Sequence, residues 1–166
     1  MSLVPFENFF YTFKSPEAVY RYVNGSNDIQ VVVSGETCDL VIGTHEGGSR
    51  WCYVPKTESG WKINNLNFDR EVFSNYSDGK NIMVFRYRNT DDYFIEILFS
   101  GEACGFPQVP WKVTDSRNST FYAMEKTGEK IFFLPYYAHV FQLDENYYVE
   151  IDGEKIYPLK GGSLFE

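Results

Sequence analysis

From Ile29 to Pro158 the chain is broken every few residues by turn-forming sequences, and this punctuation constrains the fold more than any other feature. Between the breaks lie short runs rich in aromatic and β-branched residues, the side chains that suit a pleated, half-buried surface. They are Ile29–Ser34, Asp39–Gly43, Arg50–Pro55, Trp61–Ile63, Asn81–Arg88, Tyr93–Ser100, Thr120–Glu125, Lys130–Leu134, Tyr147–Ile151 and Lys155–Pro158. Four breaks read as hairpin loops: Thr57-Glu58-Ser59-Gly60, Asn89-Thr90-Asp91-Asp92, Lys126-Thr127-Gly128-Glu129 and Asp152-Gly153. The last is the strongest, because Asp and Gly both accept the positive φ that a two-residue hairpin requires. Residues 65–80 read as polar and irregular with a turn at Asp78-Gly79, and 101–119 as a Gly/Pro-broken loop carrying Trp111. The expected fold is mostly β: an antiparallel sandwich or strongly curved sheet of about ten short strands.

One helix precedes the strands. Ser15 suits the cap, Pro16 the first helical position and Glu17 the positive end of the helix dipole. Val19, Tyr22 and Val23 then recur at i, i+3 and i+4, and Asn24-Gly25 is a stop signal. The spacing predicts a short amphipathic helix over residues 16–23, packed on the sheet through those three side chains.

At 166 residues, with 43% hydrophobic side chains, the chain reads as a single domain spanning 1–166 with a real core. Its segments echo one another. Ser34-Gly35-Glu36-Thr37-Cys38 recurs as Ser100-Gly101-Glu102-Ala103-Cys104, and Tyr20-Arg21-Tyr22 as Phe85-Arg86-Tyr87. An internal duplication of roughly 16–64 onto 81–134 is one reading. The other is convergence of similar hairpins, and the second echo sets a helix against a strand.

The net charge of −8 argues against sequence-independent nucleic-acid binding and against docking on anionic lipid. No apolar run approaches the ~18 residues of a transmembrane helix. Met1-Ser2-Leu3 fits a start that replaces a longer native N-terminus; on that reading an export signal is missing and an extracytoplasmic location is expected. Cys38, Cys52 and Cys104 leave two arrangements open, one disulfide plus a thiol or three buried thiols.

Chemistry-bearing motifs are sparse. His45 and His139 are the two histidines. Cys104 has no flanking cation to activate it as a nucleophile, and Glu102 opposes activation. His45-Glu46 lacks the second histidine of a zinc helix, so no metal site is expected. No Gly-rich phosphate loop is present, and no cofactor is expected. Glu36, Glu96, Glu102 and Glu150 lie in or beside strands; alternation with apolar neighbours places Glu96 and Glu150 on a solvent face.

Aromatic residues are the remaining positive feature: 15 Phe, 13 Tyr and 3 Trp. Trp61, Trp111, Tyr136 and Tyr137 lie near turns or prolines, where exposed rings would stack on sugars or proline-rich peptides; the alternative is that they are core and cover residues. The leading expectation is a non-catalytic domain that binds a protein, peptide or glycan, with these four as ligand-binding candidates and no catalytic residue assigned. A small carboxylate-dependent hydrolase is the alternative, marked by two converging carboxylates. A structural or accessory module is the third, marked by a contiguous apolar surface patch.

Overall fold

The computed structural model describes residues 5–25, 28–45, 48–64, 70–77, 79–100, 111–124 and 133–160. Among these residues the fold is mostly β, in antiparallel sheets with one α-helix and a curled, half-barrel sheet, as the turn punctuation predicts. Contacts divide the chain into two compact units, Met1–Asp69 and Arg70–Glu166.

The first unit begins with a single 3-10 turn, Phe6–Phe9, followed by α1, Pro16–Asn24. Four strands follow in the order β1 (Ile29–Ser34), β2 (Cys38–His45), β3 (Gly48–Thr57) and β4 (Gly60–Trp61), each paired with the next. Ser15 caps α1 by accepting from the Ala18 N–H at 3.3 Å, and Gly25 ends it at φ 64°. The buried face of α1, however, is Pro16, Val19 and Tyr20. Tyr22 and Val23, expected to pack inward, are 56% and 49% exposed. The i, i+3, i+4 rule holds, but it starts at Pro16: Tyr20 fills the space over the sheet with Val19, Val41 and Val54, and this rotates Tyr22 outward. Cys38 and Cys52 are unbridged thiols; Cys104 lies outside the described residues.

The second unit contains a sheet in the order β5-β6-β7-β10-β9 and a smaller one in the order β12-β11-β8. Their ranges are β5 Arg70–Ser77, β6 Lys80–Arg86, β7 Asp92–Ser100, β8 Val113–Asp115, β9 Tyr122–Ala123, β10 Phe133–Phe141, β11 Val149–Ile151 and β12 Glu154–Ile156. One face of the larger sheet supplies Ile82, Val84, Ile95, Ile97, Ala138 and Val140, which pack with Tyr147, Val149, Ile151 and Ile156 as the core. The Asp152-Gly153 hairpin forms as expected: Ile151 pairs with Glu154, and the two loop residues have φ of 50° and 89°.

Three local expectations are corrected. Residues 70–77 are not irregular but form β5, paired with β6 from Arg70↔Arg86 to Ser77↔Lys80. At a sheet edge only one side needs a partner, so a polar strand is tolerated there. The 101–119 stretch contains β8, paired with β11; residues 101–110 lie outside the described set. The Lys126–Glu129 loop and the second Ser-Gly-Glu echo from Gly101 onward also lie outside it. Lastly, the strand expected to end at Leu134 continues through Pro135 to Phe141. The Pro135 carbonyl accepts from Met124 N–H at 3.0 Å. A strand residue's N and C=O point the same way, so the donor that proline lacks falls on the β9 side, where the strand pairing stops at Ala123.

Candidate functional site

The four aromatic residues singled out by sequence occupy three places. Trp61 is half-buried in the first unit, and its indole donates to Asp39 Oδ2 at 2.6 Å. Asp39, 2% exposed, also binds Ser34 Oγ at 2.7 Å and Lys56 Nζ at 2.8 Å. In the second unit Trp111 stacks on Phe99, with centroids 5.0 Å apart and planes 4° from parallel. Phe99 in turn meets Tyr136 edge-on. Tyr136 is buried, and its hydroxyl bonds to the Trp111 backbone; burial raises its pKa. Tyr137 is 1% exposed and donates to Glu96 Oε1 at 2.8 Å. Trp111 and Tyr136 thus share one ring cluster, while Trp61 and Tyr137 lie elsewhere.

The rings that do face solvent are not the ones that the sequence singles out. Phe6 and Phe9 are each 73% exposed, Phe10 67% and Tyr11 60%. Tyr22 and Val23, turned out from α1, are exposed as well, and Tyr22 meets the half-buried Phe13 ring at 5.4 Å. Phe6 and Phe10 lie 5.0 Å apart. Four aromatics within six residues, Phe6, Phe9, Phe10 and Tyr11, are the sequence signal for this surface.

Backbone and polar contacts hold the segment in place. Phe13 forms a two-way backbone bridge with Trp61, at 2.9 and 3.1 Å. The Asn8 amide acts like a strand residue: Nδ2 donates to the Ile63 carbonyl at 2.7 Å, and Oδ1 accepts from Ile63 N–H at 2.8 Å. Lys62 Nζ donates to the Asn8 and Tyr11 carbonyls and to Thr12 Oγ1, at 3.0, 2.7 and 2.7 Å. Gly60, at φ 135°, lies so close to the Phe13 carbonyl and Thr12 methyl that a Cβ would collide with both. The backbone of residues 8–13 is therefore clasped to 60–63, and the rings are left to face water.

A second polar constellation lies in the sheet of the second unit. On the face of β7 opposite the core, Asp92, Phe94 and Glu96 alternate, and Tyr137 and His139 of β10 share that face. His139 Nε2 lies 2.6 Å from Asp92 Oδ1. Glu96 is 7% exposed, a correction to the expected solvent face: the outward-alternating residues of this strand are also buried. Burial pushes the Glu96 pKa up to about 7 against the lowering effect of the Tyr137 hydrogen bond. Asp92 and Glu96 are four residues apart on one strand, which sets their backbones roughly 13 Å apart at 3.3 Å per residue. Each carboxylate has its own partner. Among the described residues no cluster of His, Cys, Asp or Glu could hold a metal ion, and no helix is long and apolar enough to cross a membrane. Cys104 lies outside the described residues, as does the side chain of His45.

The chain matches no family model, no curated protein and no solved structure.

Proposed function

We propose that the chain is a non-catalytic binding domain whose first unit docks a partner polypeptide on Phe6, Phe9, Phe10, Tyr11 and Tyr22. The observation that carries this reading is a run of solvent-facing rings on a backbone pinned by Asn8, Lys62 and the Phe13–Trp61 bridge. Pinning the backbone beforehand lowers the ordering cost of association. At about 200 Å² per ring residue, the five rings leave roughly 650 Å² in water, comparable to the ~800 Å² that one partner contributes to a standard interface. The charges on this stretch are balanced, Glu7 and Glu17 against Lys14 and Arg21, so apolar contact is not opposed by the chain's net charge. Phenylalanine has no polar handle, which favours an apolar polypeptide over a glycan that needs hydrogen bonds as well as stacking.

Selection of a displayed peptide library on the purified protein tests this. Peptides recovered on the native chain are expected to bind with a negative heat-capacity change. They are expected to lose at least tenfold in affinity to a Phe9→Ser/Phe10→Ser/Tyr11→Ser variant with an unchanged circular dichroism spectrum. Peptides that bind the triple variant equally well would place recognition elsewhere and reject the surface.

A further inference from the structure

Glu96 sits in an unusual electrostatic position. β6 and β10 are its neighbours in the sheet. β6 turns Asn81, Met83 and Phe85 to the same face, none of them titratable, and Met83 pairs directly with Glu96. β10 turns Pro135, Tyr137, His139 and Phe141 to it, and β7 itself adds Asp92, Phe94 and Leu98. Among the described side chains of β6, β7, β9 and β10, the titratable groups on the face of Glu96 are Tyr137, His139 and Asp92, with Tyr122 of β9 beyond Tyr137 in the same row. The His139 imidazole, the one group among these able to carry positive charge, is bonded to Asp92. Among the described residues Glu96 thus has a neutral hydroxyl as its hydrogen-bond partner and a second carboxyl on its own strand, in a place with little access to water.

Such a group is tolerated as a neutral acid and opposed as an anion. We infer that the Glu96–Tyr137 pair is a proton-operated catch on the β7–β10 pairing: protonated, it lets this face of the sheet stay closed, and ionised, it loosens the two strands so that the carboxylate reaches water. The direction of the Glu96 shift, upward through burial, places the change near neutral pH, where it would respond to ordinary changes of surroundings. Because Tyr137 donates to the carboxylate, it favours the ionised form and moves the changeover to lower pH.

The test is amide hydrogen exchange of the intact chain from pH 5.5 to 8.5, corrected for intrinsic rates, beside a carbon-13 titration of the Glu96 carboxyl. Protection across Tyr93–Leu98 and Tyr136–Val140 is expected to fall tenfold or more, with its midpoint at the carboxyl titration. Glu96→Gln is expected to stay protected throughout, and Tyr137→Phe to move the midpoint to higher pH. Constant protection in the native chain, a loss that persists in Glu96→Gln, or a carboxyl that titrates in the ordinary range near 4.5 would each overturn the inference. The native titration and the Tyr137→Phe midpoint decide it even if Glu96→Gln does not fold.

Discussion

The Trp61 indole and the Asp39 carboxylate meet at 2.6 Å, and this bond converts a tryptophan that a sequence reader would offer to a ligand into a fastening between β2 and β4. Asp39 simultaneously accepts from Ser34 and Lys56. Replacing it with Ala strips three donors of their acceptor, two of them half-buried. Asp39→Ala should cost about 2–4 kcal/mol in urea denaturation, most of it from stranded donors. Asp39→Asn, which keeps an acceptor oxygen, should cost less. Equal stability of Asp39→Ala and the native chain would show that the fastening carries no weight.

Glu96 makes stability depend on pH in a direction opposite to that of a salt-bridged carboxylate. Its folded pKa, about 7, lies above its ordinary value of 4.5. The stabilisation is therefore complete below pH 4.5, falls as pH rises, and is gone above pH 7. The span corresponds to at most about 3 kcal/mol. Other groups titrate too, so the difference between Glu96→Gln and the native chain is the quantity to follow. It should grow in favour of Gln by up to that amount between pH 4 and pH 8; a constant difference would contradict the assignment.

The clasp on the amino-terminal segment makes a prediction about order without burial. Lys62→Met removes the ammonium that holds the Asn8 and Tyr11 carbonyls. Amide protection at Phe10, Tyr11 and Phe13 should drop severalfold while that of β2 and β3 is retained. Gly60→Ala should act in the same place through collision with the Phe13 carbonyl. Loss of protection throughout β2 and β3 in Lys62→Met would mean that the segment is a structural support of the first unit.

In the second unit the Tyr147 hydroxyl donates to Asp115 Oδ2 at 3.0 Å, while Asp115 Oδ1 accepts from the Arg117 and Ser119 N–H groups at 3.1 and 2.8 Å. Tyr147→Phe leaves both backbone bonds and should cost about 1 kcal/mol. Burial, with the Asp115 charge adding to it, holds the Tyr147 pKa well above 10. A spectrophotometric titration should find at least one tyrosine that does not ionise before alkaline unfolding in the native chain, and one fewer such silent group in Tyr147→Phe.

Gly153 has φ 89° beside Asp152 at φ 50°. The direction in which a Cβ would point is open, with nothing within 4 Å of it. Gly153→Ala should therefore cost about 1 kcal/mol through backbone strain alone. A neutral substitution in urea denaturation would indicate that the β11–β12 turn relaxes to another type.

Turn chemistry and capping act between residues two to four apart, and these features were readable: the Ser15 cap, the Gly25 stop, the Asp152-Gly153 turn, the antiparallel hairpins. The sequence misleads where the deciding partner is distant. β5 looks irregular until its pairing with β6 is known, and Pro135 looks like a strand end until the pairing on the β9 side is seen to stop. Glu96 and Tyr22 show the same limit from opposite directions. The alternation of β7 says that Glu96 and its apolar neighbours face opposite ways, but not that both faces are covered. The periodicity of α1 marks apolar positions, but not which subset meets the sheet.

A mostly β, antiparallel chain with a capped helix follows from the order of the residues, because backbone preferences and side-chain periodicity are local. Long-range packing settles which aromatics enter the core and which face water. It buried Tyr136 and Tyr137, tied Trp61 to Asp39, and left Phe6, Phe9, Phe10 and Tyr11 exposed on a backbone held by Lys62 and Ile63. The physical reason is that burial is a property of pairs: Asn8 and Ile63 are 55 residues apart in the chain, and no local rule reaches that far.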